Sequence, residues 1–348
     1  MNAWREFGLH CPKCGTSALI ERSEKAAQCP GCGTAYAIGR GVLNLLQDQT
    51  TATDEHYTLQ WSREKGFLQF LKTQAEVKKI IPGGQMGWNE LFEEIRTKAR
   101  SKPAQRVAVY DAACGFGGIA SELVRDETSE GIAYLGADIH RSLGDITDEI
   151  PQLKEGGQLV RWDIGNPIPT AKKFDYVICR AALHHTPNPR RTFASLCKAL
   201  KPGGRLAITV YRKKALAREA LDDAFRNVII PMDTREAFAV SRQFTVLGRA
   251  LQAVPGEVTI EEDLPLFGIK KGSYPVQTLI YNYFLKCFWN PVFGEEYSTL
   301  VNYDWYHPPF AYRYEPEEIL GWYREEGLDI VKRDGIEAQY FFLGEKKA

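Results

Sequence analysis

The sequence carries no net charge of either sign: 44 Lys plus Arg stand against 44 Asp plus Glu, and the sequence pI is near 7.0. A chain built to grip nucleic acid usually carries a clustered basic surplus, because its affinity comes largely from neutralised phosphates; nucleic acid is therefore a disfavoured partner. No apolar run reaches the roughly 18 residues that span a bilayer, so no membrane span is expected. Met1–His10 has no basic stretch leading into an apolar one, so a secretory leader is not expected either, and the default is a soluble, cytoplasmic protein. Internal repeats and low-complexity tracts are missing too, and no pattern fixes an oligomeric state. What is present is 348 residues, 44% apolar and 11% aromatic, enough for the cores of two or three domains.

The eight cysteines divide into two sets. Cys11, Cys14, Cys29 and Cys32 form two Cys-x-x-Cys pairs separated by fourteen residues, each followed by a glycine that lets the backbone turn tightly. Four thiolates around one tetrahedral centre make the closed, structural type of zinc site, with no position left for substrate. Two disulfides are the alternative, and a reducing compartment argues against them. Metal affinity of roughly 10–16 kcal/mol becomes folding energy in such a small ribbon, which is expected to lie at a distance from any other site. Cys114, Cys179, Cys197 and Cys287 are scattered singly in apolar surroundings and read as small buried hydrophobes.

From Glu55 to Arg100 the text is helical, with Trp61, Phe67, Phe70, Leu71, Trp88, Leu91, Phe92 and Ile95 on apolar faces and a break at Pro82-Gly83-Gly84. Val107–Asp111 then reads as a buried parallel strand that runs into Gly115-Phe-Gly117-Gly118 and a helix start. A glycine turn alone is a weak signal. It gains weight from Tyr134–Asp138, a second strand ending in a carboxylate about twenty residues on, where such sites hold ribose hydroxyls. Gln158–Asp163, Lys173–Cys179 and Gly204–Tyr211 follow as further strands. Ligands in such sheets sit at the carboxyl ends of the strands, where Asp111, Gly115, Asp138 and Asp163 fall.

These strand ends resemble those of a class I S-adenosylmethionine-dependent methyltransferase of the type 11 group, over roughly Val107–Tyr211. Asp111-Ala-Ala-Cys-Gly-Phe-Gly117 is similar to its first motif, with Ala113 in place of a glycine, a mild change if its φ is negative. Phe174–His185 and Leu200-Lys-Pro-Gly-Gly-Arg205 resemble its fourth motif and the turn before strand five; a nicotinamide cofactor is the other reading of the glycine loop, and both segments argue against it. The resemblance implies an α/β fold, a doubly wound, seven-stranded Rossmann-like sheet. It implies S-adenosylmethionine bound by Asp111, Ala113, Gly115, Gly117, Asp138 at the ribose, Asp163 and Ile164 at the adenine, and Arg180. Tyr57 and Trp61 resemble the aromatic entry of a bacterial subgroup and either line the methionine end of the donor or pack on the sheet edge.

Arg212–Pro309 is too long for a connection and is expected to be an insertion with helices at Lys214–Ile230, Thr234–Val254 and Pro275–Trp289. In the family such an insertion makes the acceptor pocket, which places Asp304, Tyr306 and His307 on the substrate side. His184 and His185 follow the fourth strand; one takes a proton from an acceptor hydroxyl, or the pair merely caps a loop. The expected layout is a zinc ribbon at 1–46, a helical cap at 47–102, the donor core at 103–212, the insertion at 213–312 and a closing helix and strands at 313–348. The expected function is methyl transfer to an oxygen of a small-molecule acceptor, a sugar or glycan precursor or a secondary metabolite. An RNA methyltransferase that uses the ribbon for contact, and a non-catalytic donor-binding module, are the alternatives.

Overall fold

A computed structural model describes residues 6–15, 18–47, 51–63, 86–101, 105–124, 130–153 and 159–347. The expected apolar face at Phe67, Phe70 and Leu71 and the break at Pro82 lie outside the described residues. Two compact units emerge, Met1–Tyr211 with Tyr314–Ala348, and Arg212–Arg313.

In chain order the first unit begins with β1 (Ile20–Ser23), β2 (Ala26–Gln28), β3 (Ala35–Gly39) and β4 (Val42–Asn44). There follow α1 (Ala52–Arg63), α2 (Trp88–Ser101), β5 (Val107–Ala112), α3 (Gly118–Leu123), β6 (Ile132–Asp138), α4 (Ile146–Glu149), β7 (Leu159–Arg161), β8 (Phe174–Cys179), α5 (Pro189–Ala199) and β9 (Leu200–Tyr211). The second unit contributes α6 (Leu216–Ile229), α7 (Thr234–Gln252), β10 (Glu257–Ile260), β11 (Gly272–Pro275), α8 (Val276–Tyr283) and α9 (Gly294–Tyr306). The chain then returns to the first unit as α10 (Pro316–Glu325), β12 (Leu328–Gly335) and β13 (Gln339–Lys346).

The first unit is built on one sheet of eleven strands, in the order β1-β2-β3-β4-β7-β6-β5-β8-β9-β13-β12. From β7 to β12 it is the expected Rossmann-like arrangement, with parallel pairing through β7, β6, β5, β8 and β9 and an antiparallel closure by β13 and β12. The strand count exceeds seven because the ribbon is not set apart. Its last strand, β4, pairs in parallel with β7, Val42 opposite Leu159 and Asn44 opposite Arg161. An edge strand presents unpaired backbone groups, and the ribbon covers this one.

Every residue of β5 and β6 is buried, which is why both read as continuous apolar runs rather than alternating ones. One face of the sheet packs on α2 through Trp88, Leu91, Phe92 and Ile95. On the other face Phe193 and Leu196 of α5 share a core with Phe7, Leu9, Tyr36 and Leu43 of the ribbon. The ribbon thus borrows its core from the sheet. Phe174 is the joint: its ring lies 5.5 Å from Phe7 and 5.2 Å from Tyr110.

In the second unit α7 packs on α9 through Thr245–Thr299, 3.0 Å, and Asn302–Thr245, 2.9 Å. Helix α6 is turned inside out: it buries Arg218, Asp222 and Arg226 and leaves Leu221, Phe225 and Val228 partly exposed. Helix α9 and the β10–β11 hairpin fall where no expected element stood, and α8 ends at Tyr283 rather than Trp289.

Phe174→Ala should lower the unfolding free energy by about 3–5 kcal/mol, because it opens a cavity at the junction of ribbon and sheet. A loss of less than about 1 kcal/mol, read from denaturant unfolding, would show that the two cores are independent.

Candidate active site

The site is assembled where β5, β6, β7 and β8 end. After Ala112 the chain turns sharply through Ala113, Gly115 and Gly117, at φ of 65°, 53° and 83°. The amides of Ala113 and Cys114 both donate to the Ala137 carbonyl, at 2.8 and 3.0 Å, which locks the turn to β6. Gly115 and Gly117 adopt these left-handed angles without penalty; Ala113 does not. The Ala-for-Gly exchange is therefore not the mild one expected from a negative φ. It stores strain of roughly 1–2 kcal/mol at the first motif.

Asp138 closes the turn from the other side. Its Oδ2 accepts from Gly115 N at 2.8 Å, and its Oδ1 accepts from Ile139 N at 2.7 Å. His140, absent from the sequence reading, is 1% exposed and completes the brace. Its Nε2 lies 3.1 Å from the Gly115 carbonyl and its Nδ1 2.9 Å from Ser142 Oγ. Burial keeps its pKa below the ordinary value, so the ring is neutral; the carbonyl requires the proton on Nε2, and Nδ1 accepts from the serine. Asp163 turns back on its own loop, accepting from Gly165 N at 2.8 Å, with Ile164 buried beside it.

Asp111 is fully buried. Its Oδ2 accepts from Tyr134 Oη at 2.6 Å, while Oδ1 has no hydrogen-bond partner among the described residues. Burial pushes its carboxyl up to about 7, against the opposing pull of the tyrosine hydrogen bond. Arg180 acts on it electrostatically, and its guanidinium stands 5.3 Å over the Trp88 ring.

Helix α1 lies over the turn. A Cβ on Gly115 would meet the Trp61 ring at 3.1 Å, and that indole also lies 5.4 Å from Phe116 and 6.1 Å from His140. Tyr57 stands 6.2 Å from Trp61 and 5.8 Å from His185, so the two aromatics span from the glycine turn to the end of β8. What pins α1 there is a buried ion pair the sequence did not disclose, Asp54 with Arg161 at 3.0 Å. Thr58 Oγ1 donates to Asp54 at 2.9 Å and accepts from Arg141 N at 3.0 Å.

At the end of β8, Leu183–His185 form a single turn before α5. His184 is fully buried with its ring 3.7 Å from that of Tyr211, and neither of its nitrogens has a hydrogen-bond partner among the described residues. Burial, with His185 alongside, holds its pKa well below the ordinary value. The Cys179 thiol is pushed up by burial, consistent with a packing residue.

The remaining candidates lie in the second unit. Tyr306 is buried, its hydroxyl 2.8 Å from Lys286 O and 3.1 Å from Asp222 Oδ1. His307 Nε2 lies 3.2 Å from Met232 O, with its ring stacked on Tyr303. Both side chains are engaged in holding this unit together. Asp304 acts electrostatically on Lys286. The four ribbon cysteines do come together: their sulfurs lie within 4.8 Å of one another, Cys11–Cys32 at 3.6 Å and Cys14–Cys29 at 3.5 Å.

Residues 110–206 match the family described as "Methyltransferase domain". Residues 110–206 thus form a segment similar to a methyltransferase domain. A phosphoethanolamine N-methyltransferase 2 of Caenorhabditis elegans is 32% identical over 140 residues, 39% of this chain and 30% of that protein. A ubiquinone biosynthesis O-methyltransferase of Coxiella burnetii is 31% identical over 130 residues, 36% of this chain and 53% of that one. The chain thus spans 30% and 53% of the length of these two relatives. Among solved structures, a phosphoethanolamine N-methyltransferase 2 of Haemonchus contortus covers 90% of this chain and 62% of its own at 14% identity and a TM-score of 0.43. The magnesium protoporphyrin IX methyltransferase of Synechocystis PCC 6803 covers 84% and 100%, at 14% identity and a TM-score of 0.39. The matched segment holds the glycine turn, Asp138, Asp163 and His184, and leaves the ribbon, α1 and the second unit outside.

Ala113→Gly should stabilise the fold by about 0.5–1 kcal/mol, the relief of left-handed strain less the extra entropy of an unfolded glycine. A lowered thermal midpoint would contradict the strain assigned to this position.

Proposed function

We propose that the protein transfers the methyl group of S-adenosylmethionine to a hydroxyl oxygen of a small molecule, of the kind found in sugar or glycan precursors or secondary metabolites. The observation that carries this reading is a pair of buried acceptors at adjoining strand ends with no partner among the described residues, Asp111 Oδ1 and the His184 imidazole. Buried polar atoms are nearly always hydrogen-bonded, so two such atoms in a methyltransferase domain call for ligand groups to meet them.

The residues fit the donor. Asp111 Oδ1 offers its spare lone pairs to an ammonium group, Asp138 keeps acceptor capacity for ribose hydroxyls beyond its backbone bonds, and Asp163 with Ile164 frames a purine. The bound donor supplies an electrophilic methyl on a sulfonium that is its own leaving group. The protein then has to align, desolvate and move one proton. Alignment and exclusion of water account for roughly 7–11 kcal/mol of barrier in reactions of this type, and Trp61 over Gly115 keeps water from the turn. His184, neutral at rest, is the group we assign to accept the proton from the acceptor hydroxyl, against the burial that opposes its charging. Tyr57, beside His185, limits the approach to that position.

We further assign one structural zinc ion to Cys11, Cys14, Cys29 and Cys32. Zinc–sulfur bonds of about 2.3 Å place tetrahedral thiolates roughly 3.8 Å apart, close to the spacings between these sulfurs. The ion would hold the two knuckles together and takes no part in the transfer. The even charge of the chain supports a small molecule over RNA.

Three outcomes test the reading. S-adenosylhomocysteine should bind with an affinity that rises about tenfold per pH unit up to about 7, since a carboxyl raised to about 7 must ionise to meet the ammonium. Asp111→Asn should flatten that profile; a flat profile in the unaltered protein, read by calorimetry, removes Asp111 from the donor site. His184→Ala should lower kcat by about 100-fold or more while S-adenosylhomocysteine affinity stays within about twofold; equal loss of both would make the histidine a packing residue. Purified protein should contain about one zinc per chain, and Cys29→Ser should lose it and weaken donor binding as well, because β4 supports β7; metal-free protein with intact affinity would remove the assignment.

A further inference from the structure

The second unit contains a polar cluster that methyl transfer does not use. Lys286 is 7% exposed, and its ammonium lies 4.5 Å from the centre of the Trp305 ring. Its amine makes no hydrogen bond or ion pair among the described residues. Of the two carboxylates that act on it, Asp304 and Asp222, Asp222 is already taken. Asp222 receives Arg218 Nε and Trp305 Nε1 on Oδ2, and on Oδ1 it receives Lys286's own backbone amide at 3.1 Å and shares the Tyr306 hydroxyl. A carboxylate has about four lone-pair sites, so no place is left for the amine. Arg218, in turn, is spent on Asp222 and on the Tyr281 carbonyl.

We propose that Lys286, standing above the Trp305 indole, is the centre of an anion-binding site within the Arg212–Arg313 unit, which takes a single carboxylate or a phosphate or sulfate ester carried by a small molecule. The ammonium brings three donors that no described residue meets. An incoming oxyanion meets them. The surrounding charges define what fits. Arg218 on α6 and Lys214 ahead of it add positive potential at the amine, while Asp304 on α9 and Asp222 on α6 oppose it. The mixed field suits one compact anionic group and disfavours a polyanion. Burial, the largest influence on the amine, brings its pKa down to about 7, so a bound anion would draw a proton onto it. The site stands on this unit alone and does not depend on the methyl-transfer reading.

The test uses the full chain and two probes whose charge is constant between pH 6 and 8, sodium sulfate and sodium acetate, titrated in a calorimeter. One or both should bind at one equivalent; preference for sulfate assigns an ester, and preference for acetate assigns a carboxylate. Affinity should fall about tenfold from pH 6 to pH 8, as the protonated fraction of an amine titrating at about 7 falls. Lys286→Met, which keeps the length of the stem over Trp305, should lose at least about tenfold at pH 6. The pH profile of the unaltered protein decides the matter even where the variant folds poorly. No binding of either probe, an affinity that does not change with pH, or a well-folded Lys286→Met protein that binds as before would each overturn the proposal.

Discussion

The Arg161 guanidinium ties together what the first unit needs for its site. From the last position of β7 it donates to Asp54 Oδ2 at 3.0 Å, to Ile139 O at 2.9 Å and to Gln47 O at 2.9 Å. Those three acceptors belong to α1, to the loop that leaves β6 after Asp138, and to the end of the ribbon. One buried cation therefore fixes the helix that carries Tyr57 and Trp61, the loop after Asp138, and the strand that covers the sheet edge. A buried charge with one partner removed costs several kcal/mol, and so these segments are bound to move together or not at all.

The crevice at the ends of β5, β6 and β8 is where the fold departs from its own best stability. Ala113 sits in a left-handed conformation, and among the described residues nothing meets one carboxylate oxygen of Asp111 or either ring nitrogen of His184. Such departures cluster where ligands bind, because a group already satisfied by protein has nothing to offer a ligand. The surrounding brace makes them tolerable. Asp138 and His140 clamp Gly115 through its amide and its carbonyl, and Tyr134 holds the other oxygen of Asp111.

What was legible in the sequence was local. The apolar strands, the Gly115–Gly117 turn and the carboxylates at strand ends lie within short windows, where backbone preference and pattern say the same thing. The two cysteine knuckles were legible for the same reason. Asp54 and Arg161 are 107 residues apart and neither lies in a motif, so their pairing had no local signal. His140 was passed over because its role is to hydrogen-bond a glycine carbonyl 25 residues earlier. The pairing of β4 with β7 was hidden because the cysteine spacing announces a self-contained ribbon, whereas edge pairing depends on a strand far along the chain. In the second unit composition marked the aromatics near Tyr306 but gave no sign that the hydroxyl there bonds to Asp222 and to the Lys286 carbonyl. Lys286 was invisible because one lysine among 44 basic residues carries no mark of burial.

The central claim is that the ends of β5, β6 and β7, roofed by α1, are the seat of the methyl donor. Amide hydrogen exchange with and without S-adenosylhomocysteine tests it directly, since bound ligand lowers local opening wherever backbone is held. Protection should appear at Asp111–Gly118, Asp138–Arg141 and Asp163–Gly165, and also across Ala52–Arg63, while Arg212–Arg313 supplies the internal reference. Protection confined to other segments, or no change at Asp111–Gly118 at saturating ligand, would contradict the account.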